Sequence, residues 1–190
     1  MRLMEEKIRQ EGKVLSGGIL KVGNFLNQQI DTRFLRRIGQ EIAGLYRQEG
    51  VTKVLTIEAS GIAIAAAAAM ELDVPMVFAK KHKTSNVDGE IYSSTVHSFT
   101  HNTDYHIVVS RDYLLPEDRV LLVDDFLANG HALRGLIDLI RQAGAELAGV
   151  AAAIEKGFQG GGDALRAEGI RVESLAVIDR MDENAIVFRP

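Results

Sequence analysis

The chain has no cysteine among its 190 residues. That excludes disulfides and thiolate metal centres, and a reducing cytosol suffices for its folding. A signal peptide's apolar core is also missing, because the N-terminal residues alternate charge with Leu3, Met4 and Ile8. No stretch is long enough to cross a bilayer: the longest apolar run, Ile62 to Met70, is far short of the roughly 20 residues that a spanning helix needs. Excess positive charge is absent too. With 22 Lys+Arg against 26 Asp+Glu the formal net charge is −4, which argues against general nucleic-acid binding and leaves room only for a local basic patch. No internal repeat or domain linker is visible, no glycine turn carries a Walker lysine, and Gln159-Gly160-Gly161-Gly162 is no dinucleotide fingerprint. The expectation is a soluble, cytoplasmic protein folded as a single domain over 1–190, long enough for a substantial core.

The most informative stretch is Val120 to Leu133, VLLVDDFLANGHAL. Four apolar residues run into Asp124 and Asp125, a small-residue loop follows, and then an apolar helical pattern. A short apolar run bounded by turn chemistry suits a strand buried on both faces of a parallel sheet. Ligands of such sheets bind beyond the carboxyl ends of the strands, where the two aspartates would sit. The loop opens a helix, so its backbone N–H groups and the helix dipole favour an anion. Acids beside an anion cradle would repel a bare phosphate, but they suit a ligand that brings hydroxyls or a metal to the acids and a phosphate to the loop. A phosphorylated sugar does both. The plain alternative is a turn with a helix cap.

The rest of the chain reads as alternating strands and helices. Residues 2–11 form a short amphipathic helix, and 14–27 are glycine-dotted, an edge strand or a packed loop. Asp31 or Thr32 can cap a helix whose stripe is Phe34, Leu35, Ile38, Ile42, Leu45 and Tyr46. Lys53 to Glu58 is a buried strand, followed by Ala59-Ser60-Gly61 and an alanine-rich helix over 62–71 able to pack closely on a sheet or on a second subunit. Met76 to Ala79 is a short strand ending in Lys80-Lys81. A polar excursion follows over 82–104; Ile91 to Phe99 and Tyr105 to Ser110 alternate as arms of an antiparallel hairpin, and 82–107 is read either as a functional lid or as a mobile surface hairpin. After the central stretch come a strand at 150–154, a flexible glycine loop, a short helix at about 163–168 and a last strand at 172–178. This order predicts an α/β fold with a central, mostly parallel sheet flanked by helices.

Four hydrophobics, two acids, two more apolar residues and a small loop with a central glycine resemble the signature of the type I phosphoribosyltransferases. Glu58-Ala59-Ser60-Gly61 falls where that family keeps its pyrophosphate loop, and the hairpin falls where it keeps its mobile hood. The similarity runs essentially end to end. The segments KVGNFLNQQID, VDDFLANG and IEKGFQGGGDALRAEGIRVESLAVI are similar in particular to the xanthine-using bacterial branch. The resemblance implies the type I phosphoribosyltransferase fold and purine salvage: transfer of a phosphoribosyl group from 5-phospho-α-D-ribose 1-diphosphate (PRPP) to xanthine. It also implies Mg²⁺ held mainly by PRPP rather than by a protein metal site, a homodimer, and no nucleic-acid or membrane partner.

Residue roles come with the resemblance. Asp124 and Asp125 would be the catalytic acids and would hold the ribose hydroxyls, directly or through water and metal. Ala128, Asn129, Gly130, His131 and Ala132 would bind the 5′-phosphate of PRPP through their backbone. Ala59, Ser60 and Gly61 would grip the pyrophosphate, helped by Lys81 from the same chain or across a dimer interface. For the base, Lys156 would serve O6 and Asn27 would serve O2 of xanthine, with Leu20 and Phe126 sandwiching the ring, so 1–30 and 155–190 would build the base pocket. On spacing alone Lys156 is a solvated strand-end lysine, Asn27 a cap before a helix, and His131 a loop residue without chemistry. The chain departs from the wider family in three places. Ala128 replaces the acid that many 6-oxopurine enzymes use as proton acceptor, and Asn129 and Ala132 replace loop threonines. Guanine or hypoxanthine is the rival base; a PRPP-sensing regulator is the rival class, disfavoured by the acidic balance and the lack of a helix-turn-helix in the first fifty residues.

Overall fold

A computed structural model describes residues 2–16, 18–81, 90–98, 103–183 and 185–190. Helix α1 (Arg2–Glu11) leads into an antiparallel ribbon of β1 (Lys13–Leu15) and β2 (Ile19–Lys21), a single π-helical turn (Gly23–Asn27) and α2 (Thr32–Tyr46). Strands and helices then alternate: β3 (Lys53–Ile57), α3 (Gly61–Leu72), β4 (Met76–Ala79), β5 (Ile91–Ser98), β6 (Thr103–Ser110), β7 (Arg119–Leu127), α4 (His131–Ala143), β8 (Glu146–Lys156), α5 (Gly161–Ala167), β9 (Val172–Met181) and β10 (Ile186–Phe188).

The main sheet runs β10-β9-β8-β7-β3-β4. The five strands from β9 to β4 pair in parallel, and only β10 runs antiparallel, on β9; helices make the crossovers except between β4 and β7, which the β5–β6 hairpin joins. Strand β7 lies between β3 and β8, so its side chains alternate into two cores. Leu121 and Val123 join the cluster with α1, α2 and α3, whereas Val120 and Leu122 join the one with α4 and the β5–β6 hairpin. Burial on both faces explains why the run carries no polar alternation.

The helices follow their apolar stripes. Asp31 caps α2, its carboxylate accepting from Phe34 N at 3.0 Å, and Phe34, Ile38, Ile42 and Tyr46 are buried while Arg33, Arg36, Arg37 and Gln40 face solvent. The alanines of α3 permit a close crossing with α2: a β-carbon on Gly39 would lie 2.7 Å from the Ala67 backbone. The hairpin arms are docked on α4, where the absent side chain of Gly135 leaves room for Val96 and Ile107. Lys80 pairs with Val108 through two backbone hydrogen bonds of 2.9 Å, tying the end of β4 to β6. Residues 82–89 and 99–102 of the expected hood lie outside the described residues.

Several elements differ from the sequence reading. The aspartates do not end β7, which continues for two residues to Leu127. Strand β8 begins at Glu146, four residues before the apolar run, and β10 was not foreseen. Gly161 and Gly162 are buried in the first turn of α5 and are not part of a flexible loop.

Candidate active site

The carboxyl ends of β3, β7 and β8 bring four segments together. Asp124 is 5% exposed, and its Oδ1 accepts from the Asp125 N–H at 2.9 Å. Burial, and then the neighbouring Asp125 carboxylate, push its pKa well above the usual carboxyl range, against the pull of the Lys81 ammonium. Asp125 is also buried, and its Oδ2 accepts from Asn27 Nδ2 at 3.1 Å. The two acids therefore serve different neighbours: Asp125 faces the π-helical turn after the N-terminal ribbon, and Asp124 faces the loop after β3.

That loop is tightly built. The Glu58–Ala59 peptide is cis, and Glu58 Oε1 accepts from Lys81 N at 2.6 Å. A β-carbon at Gly61 would overlap Thr56 Oγ1 and come within 2.9 Å of Asp124 Oδ1, so only glycine lets α3 start this close to the acid. Thr56 is fully buried, and its hydroxyl has no hydrogen-bond partner among the described residues. The Lys81 ammonium sits 5.5 Å from the centre of the Tyr105 ring on β6. Burial raises the Tyr105 pKa and the Asp124 charge raises it further, so lysine, tyrosine and aspartate share one electrostatic neighbourhood within a single chain.

After β7, residues 128–130 turn into α4. Gly130 takes φ +83°, a conformation that glycine adopts without strain. The first intrahelical bond runs from Arg134 N to Gly130 O, so the N–H groups of 131–133 precede it and point off the helix start; His131 N is 3.4 Å from Asn129 Oδ1. On the other side, Lys156 ends β8 half-buried, its Nζ donating to Gly18 O at 3.2 Å and lying 5.6 Å from the centre of the Phe126 ring. Burial lowers its pKa below the ordinary lysine value. Leu20 is buried in the same cluster against which Phe126 packs.

The structure thus gathers Asp124, Asp125, Asn27, Lys156, Leu20 and Phe126 with loops 58–61 and 128–132. Asn27 is not the cap of α2; Asp31 is. The sequence reading missed Thr56 and a buried ion pair below the site, in which Glu155 accepts from both terminal nitrogens of Arg166 at 2.9 and 2.7 Å and from Ser174 Oγ at 2.5 Å. A glutamate continuing the apolar run of β8 was the one available signal that a buried cation must meet it.

The structure places a buried acid pair beside a helix start at the carboxyl edge of a parallel sheet. Residues 27–181 match the phosphoribosyl transferase domain family, and the chain belongs to that family. Over its whole length it is 52% identical to xanthine phosphoribosyltransferase 1 of Clostridium perfringens, covering 100% of each chain. It is 49% identical to the xanthine phosphoribosyltransferase of Lachnoclostridium phytofermentans, covering 100% of this chain and 98% of that one. Among solved structures, an adenine phosphoribosyltransferase from Giardia lamblia complexed with 9-deazaadenine superposes with a TM-score of 0.78 at 21% identity, over 94% of this chain and 98% of that one. The enzyme from Rhodothermus marinus gives 0.76 at 21%, over 94% and 100%. These structures share the fold.

Proposed function

We propose that this chain is a purine-salvage enzyme that transfers the 5-phosphoribosyl group of PRPP to xanthine, releasing pyrophosphate and xanthosine 5′-monophosphate. The observation that carries the reading is the identity of about half of all residues, over the whole chain, with xanthine phosphoribosyltransferases; it is supported by Asn27 donating to Asp125 and by Lys156 at the end of β8 beside Phe126, which we read as the two donors of a base pocket. Xanthine has carbonyl acceptors at C2 and C6, and two N–H donors match them. Phe126 and Leu20 supply apolar faces for the ring.

In the reaction the bond from C1′ to the pyrophosphate oxygen breaks, the bond from C1′ to the purine nitrogen forms, and the purine gives up a proton. Asp124 and Asp125 orient the ribose hydroxyls. The backbone of 128–132 holds the 5′-phosphate at the positive end of α4. Residues 59–61 and Lys81 hold the leaving pyrophosphate, with Lys81 acting beside its own chain's Asp124. Tyr105 and the hairpin arms cover this side and limit the access of water, the competing nucleophile.

Mg²⁺ fits the acids present. Among the described residues no three His, Asp or Glu side chains converge into a cage. Mg²⁺ is ordinarily held through one or two carboxylates together with substrate phosphates, so Asp124 and Asp125 would contact it while PRPP supplies the rest. When bound, it neutralises charge on the pyrophosphate. A homodimer is supported by the apolar rim of α3 and the edge strand β4, where Met70 is 79% exposed and Phe78 37%. None of the described helices is long and apolar enough to cross a membrane, and we place the enzyme in the cytoplasm.

Pyrophosphate release from PRPP and Mg²⁺, measured with xanthine, guanine, hypoxanthine and adenine in turn, tests the reading. Xanthine is expected to be fastest. A preference for guanine or hypoxanthine would keep the chemistry and overturn the two-carbonyl pocket; no release with any base would point to a PRPP-binding regulator. Lys156→Ala is expected to raise the KM for xanthine about 10- to 100-fold, the range for losing a charged hydrogen bond, while the KM for PRPP stays near the wild-type value. An unchanged KM for xanthine removes Lys156 from the pocket.

A further inference from the structure

The loop assigned to the 5′-phosphate has little to hold itself in shape. Ala128 offers only a methyl group and Gly130 no side chain, and a cradle of backbone N–H groups works only if the backbone is fixed. Its support comes from the start of α5. Gly161 N donates to Ala128 O at 3.2 Å. A β-carbon on Gly161 would overlap that carbonyl oxygen and lie 2.5 Å from Asn129 C and 2.7 Å from Gly130 N. The contact is backbone on backbone, at a separation that excludes even a methyl group.

Helix α5 is in turn clamped from below. Arg166 grips the fully buried Glu155 with both terminal nitrogens, and Ser174 adds a third hydrogen bond. Burial works to raise the Glu155 pKa, but the bonds from Arg166 and Ser174 hold it below the ordinary value. Asp163 ties Arg166 at 3.2 Å to Arg189 at 2.8 Å. Gly162 admits the clamp, since a β-carbon there would overlap Glu155 Oε1. Glu155 directly precedes Lys156, so one short segment reaches the base pocket directly and the phosphate loop through α5.

We propose that α5, clamped through Glu155 and Arg166, is the buttress that sets the 5′-phosphate loop, and that Gly161 is a positioning residue for PRPP. The proposal rests on the assignment of 128–132 to that phosphate. Gly161→Ala must displace the loop or α5, and it acts on ground-state binding of the phosphate more than on bond cleavage. The expected result is an increase of about ten-fold or more in the KM for PRPP and in the calorimetric Kd for ribose 5-phosphate, with kcat at saturating PRPP within about three-fold of wild type. Gly39→Ala is the control: its methyl meets Ala67 between α2 and α3, so it costs stability without touching the loop, and the KM for PRPP should not move.

A Gly161→Ala enzyme with wild-type KM for PRPP and wild-type affinity for ribose 5-phosphate would overturn the buttress. Wild-type enzyme that turns over PRPP but does not bind ribose 5-phosphate would overturn the phosphate assignment, and the buttress with it. If Gly161→Ala does not fold, Arg166→Lys keeps the charge and loses the fork. It should raise the KM for PRPP several-fold, and an unchanged KM there also refutes the proposal.

Discussion

Asp124 keeps its proton to a higher pH in the folded chain than in an unfolded one, because it is buried and faces the Asp125 carboxylate. Above the ordinary carboxyl value of 3.8 the unfolded chain has released this proton while the folded chain retains it. Stability therefore falls as pH rises from there through the raised folded-state value, and the full loss is present beyond it. An acid held at such a cost in the ligand-free protein is there for a ligand that brings positive charge or hydroxyl donors. Asp124→Asn removes the charge and keeps an oxygen to accept from Asp125 N. At pH 8 the variant should melt higher than wild type, by about 2–4 °C for each kcal/mol relieved in a chain of this size. That advantage should shrink towards pH 4, and pyrophosphate release should drop about 100-fold or more. A lower melting temperature at pH 8, read by calorimetry without ligand, would count against this account of the acid pair.

At the level of elements, the docking of the hairpin on α4 depends on one missing side chain. A β-carbon on Gly135 would lie 2.5 Å from Val96 Cγ2 and 3.1 Å from Ile107 Cδ1, so Gly135→Val drives a wedge beneath both arms. Amide exchange over 91–98 and 103–110 should quicken and turnover should fall, while α4 stays protected; unchanged exchange in the arms would show that the contact does not hold them. The stripes of α2 and α4 and the apolar run of β7 are legible in the sequence because burial on one face, or on both, imposes a period. The first turn of α5 is not legible, since a glycine run reads as a loop when each glycine is disfavoured inside a helix, whereas the rest of α5 falls where the sequence places a short helix. Here the close approach to 128–130 and to Glu155 overrides that preference. Strand β10 is three residues long and exists through its pairing with β9, which no local pattern announces. The site divides the same way. The acid pair and its loop form one contiguous motif, but Asn27 meets Asp125 across 98 residues, and spacing alone assigns it a helix cap.

The whole molecule is a sheet whose ligand edge is completed by the N-terminal ribbon on one side and by the hairpin on the other. The proposed homodimer would use the far edge, β4 with the exposed Met70 of α3. Lys81 lies at that end of the sheet, immediately after β4, so its ammonium could serve either subunit of a dimer. Within the chain the ammonium lies 5.5 Å from the Tyr105 ring centre and its charge pulls the Asp124 pKa down, which is the contact that action in its own site would use. Sedimentation should first show a dimer. Lys81→Ala and Asp124→Asn subunits, each nearly inactive alone, can then be unfolded and refolded together. If lysine crossed the interface, a mixed dimer would contain one site with an intact Asp124 and a lysine from its partner, and activity would return. If lysine acts within its chain, every site in the mixture lacks one group or the other. The expected result is no recovery, and recovery to a sizeable fraction of wild-type turnover would place Lys81 in the neighbouring site.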